Sequence, residues 1–81
     1  MKLLKFYATW CLPCEVLSTV METMTLPIAV ESVDIDQNND LARKHNVRSV
    51  PTIVVVDDTG TEIKRAVGIM NAKQLMTFLE V

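Results

Sequence analysis

The sequence predicts an α/β fold: a four-stranded mixed sheet flanked by helices, with its elements in the order β-α-β-α-β-β-α. Two patterns and a size limit lead there. Short apolar runs rich in β-branched and aromatic residues alternate with stretches whose apolar residues recur every three or four positions. A β-α-β unit followed by a hairpin and a helix places parallel and antiparallel strands in one sheet, with helices on its faces. A chain of 81 residues with 49% hydrophobic content can build one small core but hardly two, so residues 1–81 are expected to form a single domain.

The first strand is read over "KLLKFYA" (2–8), rich enough in Leu, Phe and Tyr to be buried despite its two lysines. From Pro13 the spacing changes. Val16, Leu17, Val20, Met21 and Met24 recur at three and four, which predicts one face of a helix running to about Met24. Proline suits its first turn, and "TLP" (25–27) ends it. "IAVESVDID" (28–36) alternates Ile28, Val30, Val33 and Ile35 imperfectly, as a strand near a sheet edge would, and "QNNDLARKHN" (37–46) reads as a short polar helix. "PTIVVVDDTGTEIKRAVG" (51–68) is the clearest hairpin, with β-branched residues before an Asp-Thr-Gly turn and alternation after it. Asn71 is the expected N-cap of a last helix, "AKQLMTFLE" (72–80), whose Leu75, Met76 and Leu79 can face the sheet.

Composition excludes several function classes. The formal net charge is −2 and the eight Lys and Arg residues form no basic run, so electrostatic capture of nucleic acid is not expected. The longest apolar run is far short of the ~20 residues that cross a bilayer, and "MKLLKFYATW" lacks the cleavage site of a leader. A soluble cytoplasmic protein is the expectation, and in that compartment a permanent structural disulfide is not.

Against that background stand Cys11 and Cys14, two residues apart where a strand gives way to a helix. A staple across two residues would constrain very little of the unfolded chain. A structural zinc site needs four ligands, and beyond the two cysteines there is only His45, in a charged segment with no second ligand pair. A redox pair is the remaining reading, and it depends on the surroundings.

Those surroundings are "ATWCLPC" after a strand, "VRSVPT" opening a later strand and "AVG" closing a hairpin. In that order and at those spacings the chain resembles thioredoxin over nearly its whole length, without the first strand and helix that ordinary thioredoxins carry ahead of the active-site strand. Its size is nearer that of a glutaredoxin, and trimmed forms of this kind occur among archaeal and phage-encoded proteins. The resemblance implies a thioredoxin-like fold and a thiol-disulfide oxidoreductase that reduces protein disulfides through its own W-C-L-P-C centre, with no metal and no bound organic cofactor. It further implies protein disulfide substrates; an NADPH-linked flavoprotein of the thioredoxin-reductase type is the expected electron donor, on the apolar residues around Cys11 and the missing glutathione signature, and the chain is expected to be a monomer with no nucleic-acid or membrane partner.

Disulfide exchange needs one thiolate that attacks and a second thiol close enough to resolve the mixed disulfide. Two intervening residues in a first helical turn meet that need. Cys11 falls where free backbone N–H groups and the positive end of the helix dipole favour an anion, so it is assigned as the nucleophile. Cys14, one turn further in, is assigned as the resolving thiol. The resemblance implies that Pro51 follows a cis peptide bond and packs against the cysteines, leaving Val50 to bond an extended substrate segment. The plainer reading of Pro51 is a strand opener. Gly68 is read as a strand-end bend or as a point where substrate backbone comes close to Cys11. With Trp10, Leu12, Pro13 and Ile69 these positions would form an apolar rim suited to protein partners.

One residue departs from the family pattern. Lys5 stands six residues before Cys11, where thioredoxins usually have a buried aspartate. It either runs its methylenes along the core with its amine in solvent, or brings the amine near the cysteines and tunes their pKa values. Trp10 is read as a loop aromatic or a contact residue, Tyr7 as packing behind the site, His45 as a solvated helix-end residue, and the methionines at 21, 24, 70 and 76 as core filler. Two other functions compete: a glutathione-dependent glutaredoxin, against which "AVGIMNAKQ" lacks the paired-glycine and acidic signature, and a thioredoxin-fold binding subunit of a larger assembly.

Overall fold

The computed structural model describes residues 1–80. The elements are β1 (Lys2–Tyr7), α1 (Leu12–Glu22), β2 (Ala29–Asp34), α2 (Asn39–Lys44), β3 (Thr52–Val56), β4 (Glu62–Val67) and α3 (Ala72–Leu79), in the expected order. They form one sheet ordered β2-β1-β3-β4. β1 pairs β2 in parallel, with Leu3 beside Val30 and Phe6 beside Val33, and it pairs β3 antiparallel, with Phe6 beside Thr52. β3 and β4 are antiparallel with a bulge at Val55/Val56.

Alternation along the strands divides the core into two layers. Leu3, Ile53 and Val55 face α1 and α3, where they meet Leu17, Met21, Leu75 and Leu79. Leu4, Phe6, Val54 and Val56 face the other way and pack with Val33 and Ala42. Lys5 stands between Leu4 and Phe6 and so projects to the same side as Leu3, toward α1. The β3–β4 turn is held by Asp57, whose Oδ1 accepts from the Thr59 N–H (2.9 Å), the Thr59 hydroxyl (2.7 Å) and the Thr61 N–H (3.0 Å). Gly60 supplies the positive φ that the turn requires.

Several elements are shorter than the spacing suggests. α1 ends at Glu22, because the Thr23 hydroxyl takes the Val20 carbonyl (2.7 Å) and turns the chain before Met24. In place of helix at 37–38, Gln37 and Asn38 both donate backbone N–H groups to the Asp34 carbonyl as a turn, and α2 begins two residues later. The apolar faces are narrower too. Val16 and Met76 are exposed, since the sheet covers only the stripes Leu17–Met21 of α1 and Leu75–Leu79 of α3. Asn71 caps α3 through a reciprocal pair with Gln74.

Among the described residues no helix is long and apolar enough to cross a membrane.

Candidate redox site

The sheet brings two loops to one edge. β1 is antiparallel to β3, so the residues leaving β1 at Tyr7 lie beside those entering β3 at Thr52. The first loop carries Trp10 and Cys11, the second Val50 and Pro51.

Cys11 is the N-cap of α1, and Pro13 sits in the first turn, where a missing N–H costs nothing. Cys11 and Cys14 are joined as a disulfide, with Cα atoms 5.3 Å apart. The Cys11 sulfur accepts the Cys14 backbone N–H at 3.2 Å, so it sits against the free N–H groups of the helix start, an environment that favours negative charge there. Both cysteines are buried with Ala8, and Tyr7, Ile35 and Val50 pack against them.

The Val50–Pro51 peptide bond is cis, the isomer the resemblance implies, and Pro51 is buried. The Val50 carbonyl oxygen lies 3.7 Å from the Cys11 sulfur. Gly68 donates its N–H to the Pro51 carbonyl at 2.9 Å, which fastens the end of β4 to this loop. Its φ is +95°, and a Cβ built there would meet nothing within 4 Å, so the position is open on the outer side. Trp10 (68% exposed), Leu12 (71%), Pro13 and Ile69 are all exposed.

Sequence reasoning missed Asp36, whose Oδ2 accepts the indole N–H of Trp10 at 3.0 Å. The signal was available, because β1 and β2 are parallel and the residues following each must emerge at the same end of the sheet. Ser18 was missed as well. It accepts a hydrogen bond from the Lys5 amine, and Lys5 is only 8% exposed, with its Nζ 5.8 Å from the centre of the Tyr7 ring. The solvent-reaching reading of Lys5 is therefore wrong, because alternation in β1 turns the side chain under α1. Burial holds its pKa below the usual lysine value, with Glu22 partly opposing.

His45 also needs correction. It is 6% exposed, its ring centre 5.9 Å from that of Phe6, and its Nδ1 lies 3.8 Å from Glu62. Arg65, which pairs with Glu62, covers it by donating to the His45 carbonyl. This cluster is on the α2 side, away from the cysteines. Among the described residues, no group of three or more His, Cys, Asp or Glu side chains is placed to hold a metal ion.

Comparison with known proteins agrees with this geometry. The family model described as Thioredoxin matches residues 1–81. Thioredoxin of Chlamydia trachomatis is 35% identical over 80 residues, covering 95% of this chain and 78% of that protein. Thioredoxin of Staphylococcus aureus is 31% identical over 83 residues, covering 98% and 79%. Among solved structures, a point-mutant thioredoxin from Halobacterium salinarum superposes with a TM-score of 0.85 at 38% identity, covering 95% of this chain and 69% of that one.

Proposed function

The chain belongs to the thioredoxin family, and from that premise we propose that this thiol-disulfide oxidoreductase works as a reductant of protein disulfides, as a single domain over residues 1–81, in the cytoplasm.

Cys11 is the attacking group. Its thiolate displaces one sulfur of a substrate disulfide, forming a mixed disulfide and releasing the first substrate thiolate. Cys14, as thiolate, then attacks the Cys11 sulfur and expels the second. Two electrons pass from the dithiol to the substrate, the released thiolates take up protons from water, and the Cys11–Cys14 disulfide remains. The observation that carries this reading is the Cys11 sulfur at the start of α1, accepting the Cys14 N–H with the partner sulfur already bonded to it. The helix start favours an anion at that sulfur.

The substrate segment lies along Val50, antiparallel in the manner of an added strand, with the cis Pro51 below it and Gly68 leaving room for its backbone. Trp10, Leu12, Pro13 and Ile69 supply apolar contact. Such a rim fits a flavoprotein of the thioredoxin-reductase type better than glutathione, a small charged tripeptide that needs fixed polar partners. The protein acts as a monomer in this cycle.

The deciding experiment combines insulin-disulfide reduction with trapping. Cys11→Ser should abolish reduction, and Cys14→Ser should accumulate mixed disulfides on Cys11. Accumulation on Cys14 in a Cys11→Ser variant, and none on Cys11, would reverse the roles. NADPH oxidation followed with each donor then separates a thioredoxin reductase from glutathione with glutathione reductase. Rapid turnover with the second alone would make the protein a glutaredoxin.

A further inference from the structure

Lys5 is the only buried lysine among the described residues, and nothing in the exchange steps above uses it. Its place follows from β1: alternation sends it under α1, with Ser32 of β2 and Ile53 of β3 as its strand neighbours. Its amine ends on the Ser18 hydroxyl oxygen. Ser18 is four residues after Cys14, which puts the two side chains on the same face of α1, one turn apart.

Two clefts meet at this serine. One, of about 430 Å³, is lined by Cys14, Ser18 and Glu22. The other, of about 260 Å³, is lined by Lys5, Ser18 and Glu22. The serine and the glutamate thus form the wall between the buried amine and the inner sulfur. An ammonium group has only donors, so the serine oxygen must be the acceptor and its own hydrogen is left free to point elsewhere.

We propose that Lys5 is a positioning residue for Cys14: held on the Ser18 oxygen, at the wall between the two clefts, its charge favours the thiolate at the Cys14 sulfur once the disulfide opens. The proposal rests on the assignment of Cys14 as the resolving thiol, but its test reads Cys14 directly. In the reduced protein the Cys14 proton leaves through the cleft to water, and the lysine neither gains nor loses one. A cation that stabilises the dithiol form also makes the pair more oxidising.

The groups facing Lys5 are Ser18 and Glu22 from α1, Ser32 from β2 and Tyr7 from its own strand, with Glu15 across the cleft from Cys14. Glu22 holds the charge on the amine and burial works against it, burial being the larger. The effect should therefore fade at alkaline pH, as the amine deprotonates below the ordinary lysine range.

The test is the titration of Cys14 in a Cys11→Ala background, followed by thiolate absorbance. Lys5→Met should lower the Cys14 thiolate fraction about tenfold at neutral pH. Ser18→Ala should give part of that loss, and Lys5→Arg should restore most of it. With both cysteines present, Lys5→Met should also lower the reduction potential, by at most about 30 mV, the limit reached where Cys14 is largely ionised in the reduced protein. A purely structural lysine would move the melting temperature alone. Unchanged Cys14 titration and potential in a folded Lys5→Met variant, checked by circular dichroism, would overturn the proposal. So would a Ser18→Ala effect larger than that of Lys5→Met. If trapping instead showed Cys14 to be the attacking thiol, the functional assignment would fall while the titration still returned its own answer.

Discussion

Trp10 donates its indole N–H to Asp36 at 3.0 Å, across a separation of 26 residues. The bond ties the loop before Cys11 to the turn that follows β2. It fixes an aromatic that is otherwise two-thirds exposed, so the ring is held in place by a polar anchor at its edge and not by burial.

Asp36→Ala should consequently leave stability nearly unchanged and slow the reduction of protein disulfides. The loss of one charge-assisted bond that orders a contact residue corresponds to about 1–2 kcal/mol, or roughly five- to thirtyfold in kcat/KM. Insulin reduction measures it. Full activity in the variant would show that the indole needs no anchor.

Gly68 offers a cleaner separation of strain from sterics. An alanine there meets no neighbour within 4 Å but must adopt φ near +95°, costing about 1–2 kcal/mol of stability. If substrate backbone passes Gly68 as proposed, the added methyl also obstructs it. Gly68→Ala should therefore slow insulin reduction more than reduction of a small aromatic disulfide; equal slowing of both would remove Gly68 from the substrate path.

Leu17 is fully buried on α1 among Leu3, Ile53 and Leu75, three residues past Cys14. Leu17→Ala should cost about 2–5 kcal/mol, which for a domain of this size lowers the melting temperature by roughly 10 °C or more. Thermal denaturation of the oxidised protein checks it. A fall of only a few degrees would mean that the layer above the sheet closes over the gap.

Asp57 gives a pH prediction. The Thr59 hydroxyl, followed by the Thr61 and Thr59 backbone N–H groups, holds its carboxyl below the usual aspartate value. A depressed folded-state pKa means stability that is fully present above the unfolded value of 3.8 and lost as pH falls through the lower folded value. The difference in melting temperature between wild type and Asp57→Ala should be constant from about pH 6 to pH 5 and shrink toward pH 2. A difference that persists undiminished in acid would show that the Asp57 side chain holds the turn without help from its charge.

Much of the fold was legible because period-two and period-three-to-four spacing, proline and glycine mark where strands, helices and turns must change. The cysteines were legible for the same reason, since they stand at such a change. What escaped depended on contacts between distant segments. His45 looked solvated because its neighbours in sequence are polar, yet Phe6 from β1 and Arg65 from β4 close over it. Met76 and Val16 have helical spacing, but how wide a stripe is covered depends on the width of the sheet beneath. Lys5 lies between: its strand parity pointed inward, whereas a preference for keeping ammonium groups in water pointed out, and only the Ser18 oxygen decided between them.

The strand order has one further consequence. β1 and β3 are the inner strands, each bonded on both sides, and they are the ones that lead into Cys11 and out of Pro51. Fraying can begin at β2 or β4 and leave this middle pair intact. To part the Cys11 sulfur from the Val50 carbonyl by opening the sheet, the chain must give up its whole centre. A damaged molecule would then lose its reactivity and its shape in the same event, with little room for a half-melted form that keeps a live thiolate and scrambles the disulfides of its neighbours.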